Sequence, residues 1–162
     1  MNSIASTPTA RAPSALGTIL TAGIVSAAGD LLFACVFYGI RNGLTPLRIF
    51  QAIGTGWFGR DSFQMGWTSG TIGFFSHFGI LIVAAAIYFY TARRLSLLVR
   101  QPLLSGIVYG AAVFVVMNYV VVPLSASPAG HRALDATLGE LASHLLLVGL
   151  STSYIVRRFY RS

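Results

Sequence analysis

An all-α fold that crosses a membrane four times is what this sequence predicts, and three observations predict it. Of the 162 residues, 55% are hydrophobic and 9% charged, against roughly 25% charged in an ordinary soluble domain. Four apolar stretches each reach about 20 residues, the length of helix that crosses ~30 Å of hydrocarbon. The arginines fall between these stretches, where topology determinants sit.

Residues 1–14 are rich in Ser, Thr, Ala and Pro and lack an apolar period, so a disordered leader is expected there. The first apolar stretch, 15–40, contains Val25-Ser26-Ala27, which resembles a signal-peptidase site. Apolar character resumes after Asp30 and makes the run longer than a signal-peptide core, so an uncut span is the expectation. Thr45-Pro46 then pairs an N-cap with proline at the first helical position, and Leu47, Phe50, Ile53 and Trp57 recur at helical spacing. That pattern predicts a short interfacial helix lying along the membrane surface.

The second span, 67–92, ends with Tyr88 and Tyr90 before Arg93-Arg94. Prolines at 102 and 123 bracket the third, 102–124. The fourth, 137–156, runs into Arg157-Arg158 and Arg161. With both termini cytoplasmic, seven arginines lie inside (Arg11, Arg93, Arg94, Arg100, Arg157, Arg158, Arg161) and four outside (Arg41, Arg48, Arg60, Arg132), the bias of the positive-inside rule.

Composition also removes chemistries. All eleven basic residues are arginine, which excludes Schiff-base or general-base lysine. A net charge of +7 would suit nucleic acid, but the arginines form no stripe, and no nucleic-acid partner is expected. Cys35 is the single cysteine and lies in an apolar run, so neither an intrachain disulfide nor a cysteine-ligated metal follows. No HExxH, nucleophile elbow or di-iron Glu-x2-His motif is present.

Ionisable groups inside a bilayer are costly and are functional candidates by default. Asp30, His77, Asn118, Glu140 and His144 come from four different spans, and all fall in the outer half of the bilayer, about 5–15 Å below the ends of their helices at 1.5 Å per residue. Small residues mark the faces that should pack: Gly23, Ala27, Asp30 and Ala34 in the first span, Gly66, Gly70, Gly73 and His77 in the second, Gly106 and Gly110 in the third. Glu140 and His144 share a face of the fourth and are close enough to hydrogen-bond. His131 is expected to be solvated in an outer loop.

Three readings follow. Asp30, His77 and His144, with Asn118 orienting one of them, form a proton or small-solute path. Alternatively His77 and His144 ligate a b-type haem or a transition metal. Or the polar layer only fixes helix register in a structural or assembly protein. The first is preferred; it is non-enzymatic and needs no cofactor. The partners expected are the lipid bilayer and, through a spare GxxxG face, a second copy in a homo-oligomer.

The layout resembles a known type. A Gly/Ala-rich first span, Gly73-Phe74-Phe75-Ser76-His77 in the second, Pro102 to Gly106 opening the third and Pro123-Leu124 closing it, and a Glu140 to His144 fourth span ending on Arg157-Arg158 are similar to the short bacterial inner-membrane proteins of the YagU-like type, over residues 16–160. The resemblance implies a bacterial inner-membrane location and carries over no catalytic residue.

Overall fold

The computed structural model describes residues 14–128, 130 and 133–161. The expected leader, Ser14 apart, and His131 lie outside them. Four helices are long and apolar enough to cross a membrane: Ala15–Asn42, Trp67–Ala92, Pro102–Leu124 and Leu134–Arg161. They are the four expected spans, each within a few residues of the boundaries read from the sequence. No strand occurs among the described residues.

Local chemistry sets the ends. Ser14 Oγ accepts from Gly17 N–H at 3.0 Å and starts the first span, and Gly43, at φ +66°, ends it by donating its N–H to Gly39 O. The first helix runs unbroken through Val25-Ser26-Ala27, with Ser26 and Ala27 fully buried. Two spans depart from regular geometry. The third widens into a π-helical stretch at Met117–Val121, just before Pro123, and the fourth does so at His144–Leu150. A proline lacks the N–H that an α-helix uses four residues back, and a widened turn redistributes the freed carbonyls.

In the bundle, the second span packs on the first, the first on the fourth, and the fourth on the third. The second and third meet chiefly through tyrosines: Tyr109 Oη donates to Ala84 O at 2.6 Å, and the Tyr88 and Tyr109 rings lie 4.8 Å apart. At this end an apolar cluster of Ile19, Tyr88, Phe89, Ala92 and Val156 closes the interior. Toward the other end a smaller cluster, Ala27, Leu81 and Val148, lies near the polar groups described below.

Glycines set how closely the spans approach. A Cβ on Gly23 would lie 2.6 Å from Ile82 Cα, so the first and second spans touch backbone to backbone. Gly106 and Gly110 meet the fourth span, where Gly149 faces them in turn; a Cβ on Gly110 would stand 2.7 Å from Leu145 Cα and overlap the His144 carbonyl. These three sequence-predicted packing positions are used as expected.

The other three behave differently. Gly70 and Gly73 face the short helix Pro46–Phe58 instead of the first span: a Cβ on Gly70 would meet Leu47, and one on Gly73 would overlap the Phe50 carbonyl. Spacing identified the smooth face but not the neighbour that uses it. Gly66 is no packing residue. It sits at the turn into the second span at φ +58° with open space around its Cβ position, so its role is conformational.

The short helix also turns a different face inward from the one expected. Its buried residues are Ile49, Gln51, Gly54 and Thr55, while Trp57 is exposed. The small, polar face wins because it fits the glycines of the second span and because its polar atoms find partners there. Gln51 Nε2 donates to Gly66 O at 3.0 Å, and Ser62 Oγ donates to Gln51 O at 2.6 Å. Trp57 Nε1 reaches Ser76 Oγ at 2.9 Å. At its far end Thr55 and Ser127 hydroxyls meet at 2.5 Å, tying the helix to the loop after the third span.

Candidate functional site

Three of the five polar residues picked out from the sequence converge. Asp30 from the first span lies with Oδ2 3.7 Å from His77 Nε2 of the second and Oδ1 3.9 Å from His144 Nδ1 of the fourth. These separations are too long for hydrogen bonds but within ion-pair range. All three side chains are largely buried, at 14%, 12% and 9% exposure. The small faces explain the meeting: Gly23 and Ala27 draw the first and second spans together on the side that carries Asp30, and the Gly110 contact presses the third span against the His144 backbone.

Each imidazole is oriented by a backbone carbonyl. A carbonyl only accepts, so His77 Nε2–H donates to Ala27 O at 3.1 Å and His144 Nδ1–H donates to Glu140 O at 2.9 Å. Both nitrogens facing Asp30 therefore carry the proton when the rings are neutral, leaving His77 Nδ1 and His144 Nε2 as the basic positions. The Phe114 ring stands edge-on to His144, with centroids 5.7 Å apart. With both rings neutral and Asp30 ionised the group carries one negative charge, and a single proton neutralises it.

Two sets of residues were missed by sequence reasoning. Ser143 Oγ donates to Asp30 Oδ1 at 2.5 Å, the shortest contact the carboxylate makes. One turn of the first span away, Ser26 Oγ lies 2.7 Å from Ser151 Oγ and 2.9 Å from Thr152 Oγ1, forming a buried hydroxyl cluster between the first and fourth spans. The available signal was spacing: Ser26 precedes Asp30 by four residues, and Ser151 follows His144 by seven, so each shares a helix face with a residue already singled out.

Asn118 and Glu140 form a second group on the other side of the trio. Asn118 Nδ2 donates to Phe114 O at 3.0 Å and to Glu140 Oε1 at 3.2 Å. The contact between Glu140 and His144 recorded above runs through the Glu140 backbone. Asn118 sits in the π-helical stretch of the third span and His144 opens that of the fourth. Such stretches concentrate at functional positions because they re-aim side chains within an otherwise regular helix. Beyond this group, at the bundle end, Arg41 and Asp135 make an exposed two-pronged ion pair at 2.6 and 2.8 Å.

The polar groups thus form a column: Glu140 and Asn118, then His144, Asp30, His77 and Ser143, then Ser26, Ser151 and Thr152. The apolar Tyr88 and Phe89 cluster ends it. A haem plane held by both histidines would need the interval between their rings, and the Asp30 carboxylate occupies it. No group of three or more His, Cys, Asp or Glu among the described residues is arranged to hold a metal ion. What the column can do is take up a proton at an imidazole or the carboxylate and pass it between groups a few ångströms apart. No family model, curated protein or solved structure matches this chain.

Proposed function

We propose that this chain is a multi-pass inner-membrane protein in which Asp30, His77 and His144 form a protonatable site on a proton or small-solute path. The observation that carries the reading is the convergence of three ionisable side chains, from three separate helices, within 4 Å of one carboxylate. A buried carboxylate with no metal-binding neighbours is costly to hold for structure alone, since register can be fixed by neutral polar residues. The polar column supports access from the end that bears Arg41 and Asp135, and the apolar cluster at the opposite end acts as a barrier to free leakage. The arginine distribution, seven against four, supports placing that open end outside, with both termini cytoplasmic, and the short helix at the outer membrane interface. The resemblance to YagU-like proteins supports a bacterial inner membrane.

The test is proton flux in liposomes that enclose a pH-sensitive dye, with a pH gradient imposed and potassium plus valinomycin clamping the voltage. Wild type collapses the gradient faster than empty vesicles, and Asp30→Asn and His77→Ala, inserted to the same level, do not. Equal rates for wild type and Asp30→Asn would remove the carboxylate from any path. An absorption spectrum of the detergent-purified protein is taken alongside: a Soret band lost in His77→Ala would replace this reading with a haem site.

A further inference from the structure

The end of the bundle opposite the polar column carries an uncompensated positive charge. Arg93 and Arg94 follow the second span, Arg100 precedes the third, and Arg157, Arg158 and Arg161 end the fourth. The two ends of this set are held together in space: Tyr160 Oη donates to Phe89 O at 3.3 Å, and the Phe89 and Phe159 rings lie 5.0 Å apart. The four acidic side chains are all elsewhere. Asp30 is in the column, Asp61 and Asp135 are at the far end, and Glu140 lies about 25 Å along the fourth span from Arg157 at 1.5 Å per residue.

Within this end the charge is organised. Tyr154, Arg157, Arg158 and Arg161 follow one another at spacings of three, four and seven, on one helix face, and line a shallow groove of about 390 Å³. No other helix contributes to that lining, so the groove opens away from the bundle. Toward the middle of the span the outward surface turns apolar, with Leu146 54% and Tyr154 48% exposed. A ligand that fits has an anionic head for the guanidinium forks and hydrocarbon to lie along the leucines.

We infer that Tyr154, Arg157, Arg158 and Arg161 form a binding site for the headgroup of an anionic phospholipid. Arginine binds phosphate through two parallel N–H bonds, which a diffuse charge would not specify. Tyrosine is the residue that sits at headgroup depth, apolar ring toward the chains and hydroxyl toward the phosphate. Basic clusters just beyond a span gain roughly 1 kcal/mol per arginine near an anionic surface. The inference is independent of the proton path: it uses no residue of the column.

The experiment counts lipids retained by the detergent-purified full chain in native mass spectrometry, after incubation with phosphatidylglycerol or phosphatidylcholine. Two variants of equal charge loss are compared, Arg157→Gln/Arg158→Gln/Arg161→Gln and Arg93→Gln/Arg94→Gln/Arg100→Gln, each with its helical content checked by circular dichroism. Wild type retains phosphatidylglycerol in preference to phosphatidylcholine, the first variant weakens that retention by about two orders of magnitude, and the second stays close to wild type. Equal losses in the two variants would reduce the effect to diffuse surface charge and overturn the site. Loss of the lipid to millimolar inorganic phosphate would also overturn it, in favour of a free-anion site. Should the triple variant not fold, Arg158→Gln alone must still lower retention more than Arg94→Gln does.

Discussion

Replacing glycine by alanine at two positions of this bundle should have opposite effects, and the difference measures how tightly the spans are pressed together. At Gly79, on the exposed side of the second span, a Cβ would meet nothing within 4 Å. There Gly79→Ala gains only helix propensity, about 0.5–1 kcal/mol. At Gly110 the same methyl would lie 2.7 Å from Leu145 Cα and inside the His144 carbonyl, where ordinary contact begins near 3.4 Å. The third and fourth spans would have to part by roughly 1 Å, and overpacking of this kind costs about 1–3 kcal/mol. Set against the same propensity gain, Gly110→Ala is destabilised by about 1–2 kcal/mol, and the two variants differ by about 2–3 kcal/mol. Titration of mixed micelles with sodium dodecyl sulfate, followed by circular dichroism, reads the difference directly. Two midpoints within about 0.5 kcal/mol of each other would refute the close-contact account of the third and fourth spans.

Other consequences can be measured in the same way. Ser143→Ala removes the hydroxyl that Asp30 Oδ1 accepts from and should cost about 1–3 kcal/mol, whereas Ser143→Thr keeps the donor and recovers most of it; equal losses would mean that the contact contributes nothing. Asp135→Asn breaks an exposed ion pair with Arg41 and should leave the unfolding midpoint at physiological salt where it was; a clear drop would show that the pair is not solvent-screened. Gly66→Ala forces a side chain into a left-handed conformation and should cost about 1–2 kcal/mol without disturbing any neighbour, so a neutral result would remove the conformational role given to it. Cysteines placed at Ser127 and Arg94 should label from opposite faces of intact cells; labelling of both from one face would overturn the four-span topology.

Much of the fold was legible because lipid simplifies the code. Length and hydropathy alone delimit a span, and Thr45-Pro46 announced the short helix in the place where it begins. The meeting of Asp30 with His77 and His144 was foreshadowed by depth and by the small residues beside them. The identity of neighbours was not legible. Gly70 and Gly73 mark a face, yet nothing in their spacing says whether a span or a short connecting helix will lie on it. Ser143 escaped because a serine beside a histidine is unremarkable in sequence, and its value depends on Asp30, 113 positions earlier. The π-helical stretches escaped because every face was drawn at 3.6 residues per turn.

That last point bears on how the fourth span tolerates change in length. A stretch of π-helix holds one residue more than the α-helix it interrupts. Deleting a single position inside it, Leu146 for example, would let the turn close to regular geometry and swing everything that follows by roughly 100° relative to His144. Thr152 would leave Ser26, Val156 would leave the apolar cluster, and Gly149 would leave Gly106, although no residue touching those partners had been altered. The number of residues between His144 and Ser151 is therefore as strict a requirement on this helix as the side chains themselves, and a one-residue deletion there should be harsher than any single substitution in the same segment.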